Sequence, residues 1–289
     1  MAAGQSTSHA FSVVVSTIGR TDALVLLFDS LAGQSLADFE VIIVDQNKDE
    51  RLNDLMAREK RFPLTHIRTP DSPGACRGRN SGWRIATGRI VVFADDDCWY
   101  PPWLFEKVDA HMRDLKADIL TGRSADVSGR SINARFETTA QRIDRDNAWT
   151  TAIEWMMFFR RGIIDEIGGF DEEIGPGAGT PWGAGEAQDL LLRALAKGMV
   201  CHFDPAIYGF HAEFDLSQLT PPMIERAKGY GRGMGYVLRR HGYGQALLAY
   251  WLARPAVAVV LYALRGDRLR SQYYANVVRG RLAGWRQKA

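Results

Sequence analysis

Short apolar runs alternate with helical patterns through the first hundred residues of the chain. The runs that predict buried strands are residues 11–16, 39–44, 64–68 and 89–94, rich in Val, Ile and Phe. Helices are predicted between them at residues 22–33, at about 50–60, and through Arg79 to an end at Gly88, the first with Leu24, Leu27, Phe28 and Leu31 at helical spacing. This order predicts an α/β fold with a parallel sheet covered by helices on both faces.

Polar side chains follow three of the predicted strands. Thr17 follows the first strand, Asp45 the second, and Asp95, Asp96 and Asp97 the fourth. Because parallel strands end at the same edge of a sheet, we expect these residues to share one pocket. Three adjacent carboxylates repel one another, so they indicate a site for Mg²⁺ or Mn²⁺ that also touches a phosphate. A solvated acidic loop is the alternative.

The sequence has no glycine-rich loop for binding nucleotide phosphates. No G-x-G-x-x-G follows the first strand, and no G-x-x-x-x-G-K-[ST] occurs. A cation on Asp97 would hold the phosphates instead, with Arg20, Arg77 and Arg79 as candidates to assist it. For each arginine, a solvated surface charge is the alternative. A carboxylate in the place of Asp45 commonly accepts hydrogen bonds from nucleotide hydroxyls or ring N–H groups.

Charge is unevenly distributed along the chain. The net charge of the 289 residues is +2, but residues 1–225 carry 23 Lys and Arg against 33 Asp and Glu, whereas residues 226–289 carry 13 against 1. This indicates a basic tail that faces an anionic surface, membrane or nucleic acid. The cysteines Cys76, Cys98 and Cys201 lack metal-ligand spacing and favour a reducing compartment. The first ten residues have no basic or long apolar segment, which predicts no secretory signal.

The basic tail contains an apolar run at residues 246–264. As a helix it would measure about 28 Å, nearly the thickness of a bilayer. Arg254 and Pro255 lie at its centre, where charge is costly and proline kinks a helix. We therefore expect helices lying in the membrane interface, flanked by arginines, and the alternative is packing on the rest of the chain or on a second subunit. A nucleic-acid partner is not expected, because no recognisable binding module accompanies the charge.

Six motifs carry a resemblance to a known family. They are VVVSTIGR at 13–20, VIIVDQN at 41–47, RNSGW at 79–83, VVFADDD at 91–97, GGFDE at 168–172 and GEAQDLLLR at 185–193. In this order they resemble a family-2 glycosyltransferase with the GT-A fold. The resemblance implies a Rossmann-like half and a mixed central sheet. It implies a catalytic domain at 1–225, with a nucleotide-sugar-binding half (10–97) and an acceptor-binding half (98–225). The charge and the apolar run at 226–289 predict a basic amphipathic helical tail after it.

The resemblance also assigns roles on the donor side. It implies that Asp45 contacts the base, that Asp95 contacts ribose or base, and that Asp97 binds the Mn²⁺ or Mg²⁺ that bridges the diphosphate. Asp96 is either partly solvated or in contact with the donor sugar. His211, at the end of a strand-like segment, resembles the third metal-side ligand of several GT-A enzymes. The other expected donor-site residues are Thr17, Arg20 and Arg79, and His202 is a weaker candidate than His211.

The acceptor side departs from the family pattern. The usual Glu-Asp pair is replaced by Glu186 and Ala187, so the expected catalytic aspartate is missing. Inverting transfer needs a carboxylate that takes the proton of the acceptor hydroxyl. Glu186 is the preferred base because it follows a segment rich in Gly and Pro, residues 175–185, that is suited to be a lid. Asp189 is the alternative base, or else it is an N-cap or first-turn residue of the helix that follows.

Two further residues are candidates on the acceptor side. Trp182 is expected either to stack on an acceptor sugar or to pack. The residues from Gly168 to Asp171 predict a turn that ends a helix, with Asp171 near acceptor hydroxyls or bonded to backbone. The apolar residues around Trp155 are expected to lie in the core.

The sequence therefore predicts a metal-dependent, inverting glycosyltransferase. It would move one sugar from a nucleotide-diphosphate sugar, with a UDP-sugar favoured, to a hydroxyl of a glycan or lipid-linked glycan at the cytoplasmic face of the membrane. The Gln-x-x-Arg-Trp signature and multiple spanning helices of processive synthases do not occur. The alternatives are a sugar nucleotidyltransferase and a non-catalytic relative that binds a sugar nucleotide or glycan. Homo-oligomer formation is left open.

Overall fold

The computed structural model describes residues 9–287. Most of the N-terminal segment used to predict that no secretory signal is present, residues 1–8, lies outside this range. The strands are β1 (Phe11–Thr17), β2 (Phe39–Asp45), β3 (Leu64–Arg68), β4 (Ile90–Ala94), β5 (Cys98–Trp99), β6 (Ile119–Ala125), β7 (Gln141–Arg142), β8 (Met157–Arg160) and β9 (Cys201–His211). The helices are α1 (Asp22–Ala32), α2 (Asn53–Arg58), α3 (Ala75–Trp83), α4 (Leu104–Asp114), α5 (Arg161–Ile167), α6 (Glu186–Ala196), α7 (Pro221–Arg240), α8 (Gln245–Leu264) and α9 (Arg268–Trp285).

The strands form one mixed sheet in the order β3-β2-β1-β4-β8-β6-β9-β5, with β7 paired to β9. The first four strands are mutually parallel, as predicted. β8 then runs antiparallel to both β4 and β6, and β9 runs parallel to β6. The predicted α/β class with a mixed central sheet is confirmed.

Helix α3 ends earlier than the sequence predicted. The pattern placed its end at Gly88, but the helix ends at Trp83. The backbone N–H of Gly88 donates to Ser12 Oγ at 2.8 Å, and a Cβ at Gly88 would overlap the backbone of Phe11. The chain therefore leaves the helix early because it must approach β1 this closely before β4 begins.

The core lies around the sheet and is rich in aromatic residues. Phe11 stacks on Phe105 with ring centroids 4.7 Å apart, and Phe39 packs edge-on against the same ring. Trp155 and the four residues that follow it are buried, which confirms their predicted place in the core. The three cysteines are buried, and none of them is in a disulfide.

The chain divides into two compact units. The first comprises the described residues up to Phe170 together with Leu190–Glu213, and it contains the whole sheet. The second comprises Asp171–Asp189 and the residues from Phe214 onward, and it contains α7, α8 and α9.

Glycines bring α7 and α9 close together in the second unit. Gly231 and Gly235 on α7 face Gly280 and Gly284 on α9, and a Cβ at any of the four would meet the backbone of the partner helix. Such small-residue spacing permits direct backbone contact between helices. Helix α8 runs through Pro255 without a break and packs on α9, where Ser271 Oγ donates to the carbonyl of Val259 at 3.0 Å.

Helix α8 leaves most of its apolar surface exposed. It is the one helix among the described residues that is long and apolar enough to cross a membrane, judged by length and composition. Only about a tenth of its apolar window is buried, and Val257, Val260 and Leu264 are 67%, 59% and 82% exposed.

Candidate active site

Several of the predicted site residues lie at the carboxyl ends of β1 and β4. Thr17 is the last residue of β1 and pairs in register with Asp45 on β2. Asp95, Asp96 and Asp97 follow directly after β4, the other neighbour of β1. Thr17 Oγ1 donates to Asp96 Oδ2 at 2.6 Å, so the first strand and the aspartate triplet are in direct contact.

Asp96 anchors the triplet to the protein. It is only 6% exposed, so the solvated alternative for this residue is wrong. Besides Thr17, it binds the guanidinium of Arg20, which also reaches Asp97 Oδ2 at 2.9 Å. Burial raises the pKa of Asp96, although Thr17 and Arg20 oppose the shift. The half-exposed Arg20 side chain therefore neutralises part of the charge of the triplet.

Asp97 lies next to His211, the last residue of β9. Cys98 on β5 pairs with His211 on β9, which places the imidazole Nε2 3.2 Å from Asp97 Oδ1. Nδ1 lies 2.7 Å from the carbonyl oxygen of Ala212 and donates its N–H to that oxygen, while Nε2–H faces the Asp97 carboxylate and donates to it. Loss of the Nε2 proton would leave that nitrogen available to a cation.

The contact between Asp97 and His211 shifts the pKa of both side chains. Burial alone would raise the pKa of Asp97, but the hydrogen bond and charge of His211, together with Arg20, outweigh it and the pKa is lowered. Burial would likewise lower the pKa of His211, yet Asp97, the carbonyl of Ala212 and Asp95 raise it to about 9.

Asp95, Asp97 and His211 are suited to hold a divalent cation. One ligand atom from each lies within 4.8 Å of the others, and all three residues are partly accessible. Carboxylate oxygens suit Mg²⁺ and Mn²⁺, and the imidazole nitrogen adds a ligand that Mn²⁺ accepts readily. His202, the other candidate, lies near the start of β9 and is not part of this cluster among residues 9–287.

Arg79 positions Asp95 from helix α3. It is 4% exposed, in contrast to the solvated alternative, and its Nη2 donates to Asp95 Oδ1 at 2.9 Å. Its guanidinium lies 4.0 Å from Glu154 Oε1 and over the ring of Phe170. No pattern in the sequence singled out Glu154. Arg77, the neighbouring candidate, instead donates to the carbonyl of Pro73.

Asp45 is completely buried, and other side chains of the chain engage its carboxylate. Oδ1 accepts from both the backbone N–H and the side-chain amide of Asn47 at 2.8 Å, and Oδ2 lies 3.1 Å from His66 Nε2. These bonds fix the chain just after β2. The base contact assigned to Asp45 stays a prediction.

The side-chain amide of Gln46, the residue after β2, binds the turn before α3. Its Nε2 donates to the carbonyls of Ser72 and Gly74 at 2.7 and 3.0 Å, while its Oε1 accepts from the backbone N–H of Gly74 at 3.2 Å. A carboxylate cannot donate, so it would face two carbonyl oxygens without a hydrogen. The amide therefore ties β2 to the turn before α3.

The GGFDE motif contains the predicted turn. Helix α5 ends at Ile167, and Gly168 and Gly169 follow with φ of 84° and 72°. Asn80 of the RNSGW motif donates to the carbonyl of Phe170 and accepts from its N–H, both at 2.9 Å. A Cβ at Gly169 would lie 2.6 Å from Asn80 Oδ1, so glycine is needed there for space as well as for φ. The two motifs thus lock together.

Both candidate bases lie on α6. Glu186 is its first residue and is 4% exposed. Asp189 lies in the first turn of α6, as the structural alternative predicted, but it is not the N-cap, because the helix already begins at Glu186. Asp189 is fully buried, 2.8 Å from His241 Nε2 and 3.8 Å from Arg240 Nε. The sequence did not indicate these two partners.

The segment before α6 is held by its own hydrogen bonds and by α7. The N–H of Gly175 donates to the carbonyl of Trp182 at 2.8 Å. Trp182 stacks on Tyr236 with centroids 4.4 Å apart, so one face of its ring is used in packing. Asp171 binds Arg240 and accepts from the N–H of Glu173. The acceptor contacts assigned to Trp182 and Asp171 stay predictions.

Comparison with known families agrees with this arrangement. The profile described as Glycosyl transferase family 2 matches residues 12–168, more than half of the chain. The chain belongs to glycosyltransferase family 2. The matched range contains the aspartate triplet and Arg79, and it ends before Glu186 and His211. The family predicted from the motifs is confirmed.

The curated relatives are glycosyltransferases by name, as predicted for this chain. An uncharacterized glycosyltransferase of Haemophilus influenzae is 37% identical over 97 residues, 34% of this chain and 32% of that protein. One from Bacillus subtilis is 28% identical over 171 residues, 56% of this chain and 62% of its own. A Mycobacterium bovis PGL/p-HBAD biosynthesis glycosyltransferase is 30% identical over 166 residues, covering 56% and 63%. This family-2 chain thus spans less than two thirds of each relative.

Solved structures confirm the GT-A fold of this family-2 chain. Staphylococcus aureus TarS 1-349 in complex with UDP aligns over 93% of this chain and 90% of its own, with a TM-score of 0.58 and 17% identity. The mannosyltransferase PcManGT from Pyrobaculum calidifontis, in complex with GDP-Man and Mn²⁺, aligns over 96% and 87%, with a TM-score of 0.63 and 15% identity.

Proposed function

We propose that this chain is an inverting, single-addition glycosyltransferase that uses a nucleotide-diphosphate sugar together with Mn²⁺ or Mg²⁺. The observation that carries the proposal is the cluster of Asp95, Asp97 and His211 at the ends of β4 and β9, in a chain of this family. Neighbours of the same fold bind UDP, UDP-GlcNAc or GDP-Man with Mn²⁺, which supports a nucleotide-sugar donor. A UDP-sugar is the favoured donor.

On the donor side, Asp97, His211 and Asp95 would hold the cation, which when bound offsets negative charge on the departing diphosphate. Arg79 keeps Asp95 in place, and Thr17 and Arg20 keep Asp96 in place. These contacts preorganise the carboxylates, which would otherwise repel one another and move apart.

On the acceptor side, Glu186 is the proposed base. The acceptor oxygen attacks the anomeric carbon, the bond from that carbon to the diphosphate oxygen breaks, and Glu186 takes the hydroxyl proton. The electron pair of the broken bond leaves with the diphosphate. Asp189 is the alternative base, and its carboxylate is fully buried and binds His241. Trp182 and Asp171 are proposed to contact the acceptor.

Replacing the base tests this assignment. Glu186→Gln removes the proton acceptor and keeps nearly the same shape, so sugar transfer should fall by at least about 100-fold. Nucleotide-sugar binding, measured by calorimetry with Mn²⁺, should stay within about twofold. Glu173→Gln, at an exposed glutamate of the same unit, is the control. Transfer by Glu186→Gln at close to the normal rate would rule out this role.

We also propose that α8 binds the cytoplasmic face of an anionic membrane, where a lipid-linked glycan would be the acceptor. The support is its exposed apolar side chains, Val257, Val260 and Leu264, and the arginines of the tail. Arg254 is exposed on the same helix, as expected for a helix that lies in the interface.

Vesicle binding separates this proposal from its alternative. The full chain should co-sediment with phosphatidylglycerol vesicles, and the double variant Val257→Glu, Val260→Glu should not. Val127→Glu, at a residue that is 79% exposed in the first unit, is the matched control. Equal binding by the double variant and the wild type contradicts the proposal. A double variant that instead changes the solution mass of the protein indicates that a second copy covers α8.

A further inference from the structure

Helix α7 contacts the chain on both sides of Glu186. Before Glu186, the N–H of Gly183 donates to the carbonyl of Gly229 at 3.1 Å. After it, Asp189 lies one helical turn further along α6 and binds His241, the residue that follows α7. All these residues belong to the second unit. One helix therefore holds the short segment that carries the proposed base.

The contact before Glu186 depends on glycine. A Cβ at Gly233 would overlap the backbone of Ala184, so α7 touches this segment backbone to backbone. Gly185, directly before Glu186, has φ of 105°, a conformation that L side chains rarely adopt. Its own Cβ position faces Val237 on α7 at 3.0 Å. The path of the chain into α6 is thus fixed against α7.

The contact after Glu186 is an ionic network. Asp189 is fully buried, and a buried carboxylate is costly unless it is paired. His241 Nε2 lies 2.8 Å from it, and Arg240 lies 3.8 Å away and also binds Asp171. The end of α7 is thereby joined to the first turn of α6 and to the start of the 171–189 segment.

We propose that His241 and Arg240 are positioning residues that fix the first turn of α6 and thereby orient the Glu186 carboxylate. This proposal rests on the proposed function of Glu186 as base. Neither residue touches substrate in this proposal. A misplacement of about 1 Å at a reacting group is enough to lower a rate by about 100-fold. Losing the network should therefore lower kcat and leave the KM for the donor unchanged.

Paired variants test the network. His241→Phe removes the donor to Asp189, whereas His241→Gln keeps an N–H donor. We expect kcat to fall about 10- to 100-fold in His241→Phe. In His241→Gln, kcat should be much closer to the wild-type value, and the KM for the donor should stay within about twofold of the wild-type KM in both variants. Arg240→Ala should behave like His241→Phe, and Arg239→Ala, whose side chain lies over the Trp285 ring instead, should keep the wild-type kcat.

A second measurement does not depend on activity. In hydrogen exchange followed by mass spectrometry, peptides covering residues 183–192 should exchange faster in His241→Phe and in Gly233→Ala than in the wild type, Arg239→Ala or His241→Gln. Unchanged exchange, or an unchanged kcat in His241→Phe, overturns the proposal. If the wild type transfers no sugar, the proposed function fails, and the exchange rates alone decide whether α7 fixes this turn.

Discussion

At the scale of single residues, the three consecutive aspartates have different neighbours. Asp96 is buried against Thr17 and Arg20, Asp95 pairs with Arg79, and Asp97 faces His211. The sequence predicted that these residues gather at one sheet edge, since strand ends show in the apolar pattern. It did not predict which aspartate is buried, because that depends on side chains that the fold brings from α3 and from the chain beyond β1.

Removal of a proposed ligand should weaken cation binding. The affinity for Mn²⁺ should fall by at least about tenfold in Asp97→Asn or His211→Ala, as measured by calorimetry with manganese chloride. Even the loss of a residue that only hydrogen-bonds to a metal ligand typically lowers metal affinity by about tenfold or more. His202→Ala, on the same strand but outside the cluster, should bind as the wild type does. Unaltered Mn²⁺ affinity in Asp97→Asn would show that the triplet is not the metal site.

At the scale of elements, α3 is placed by close packing that the hydrophobic pattern does not show. A Cβ at Gly82 would overlap Val14 and lie 3.1 Å from Val44 Cγ2, and a Cβ at Gly78 would overlap Ser16. These glycines let the helix approach β1 and β2 closely. The sequence predicted a helix through Arg79 but extended it to Gly88 instead of Trp83, because spacing alone does not reveal where the chain must bend back to the sheet.

Gly82→Ala should therefore destabilise the fold. The added methyl group has no space, and overpacking of this kind costs about 1–3 kcal/mol of unfolding free energy. Gly162→Ala in α5 is the matched control, because nothing lies within 4 Å of its Cβ position and alanine favours helix by up to about 1 kcal/mol. Urea unfolding gives both values. A Gly82→Ala protein as stable as the wild type would show that this helix packs more loosely.

Glu40 joins β1, β2 and the chain before β4 at the edge of the sheet opposite the candidate site. Glu40 Oε1 accepts from Ser12 Oγ and from the N–H and Oγ1 of Thr87 at 2.6–2.8 Å. Burial opposes ionisation, but these bonds outweigh it and lower the pKa of Glu40 below its ordinary value of 4.5. A lowered pKa in the folded state means that the unfolded chain binds the proton more readily. The stabilisation is therefore present above pH 4.5 and is lost as pH falls through the folded-state value.

Glu40→Gln should accordingly lower stability at neutral pH. The difference in unfolding free energy between this variant and the wild type should shrink as the pH is taken below 4.5. Denaturant unfolding across pH 3–7 measures it, with Glu50→Gln, an exposed side chain, as the control. A difference that is constant with pH would show that the charge on Glu40 does not contribute.

At the scale of the whole chain, the sequence predicted the parallel half of the sheet better than the rest. The β4–β8–β6–β9 pairings join strands far apart in sequence, and no local pattern specifies them. Helix α7 is also difficult to predict from the sequence, because it contains four glycines and glycine has a low helix propensity. In the structure Gly231 and Gly235 face α9, and Gly233 faces Ala184, so the close contacts that they permit explain why glycine is tolerated there.

The prediction for the whole molecule is metal-dependent sugar transfer. It is tested most directly by incubating the full chain with a panel of nucleotide sugars and measuring nucleoside diphosphate release, with Mn²⁺ or Mg²⁺ present and after chelation. We expect one donor, a UDP-sugar, to be turned over with metal only, and Asp97→Asn and Glu186→Gln to lose this turnover. Binding of a donor without any release of nucleoside diphosphate from the panel, with metal and glycan acceptors present, would contradict the account and indicate a non-catalytic relative.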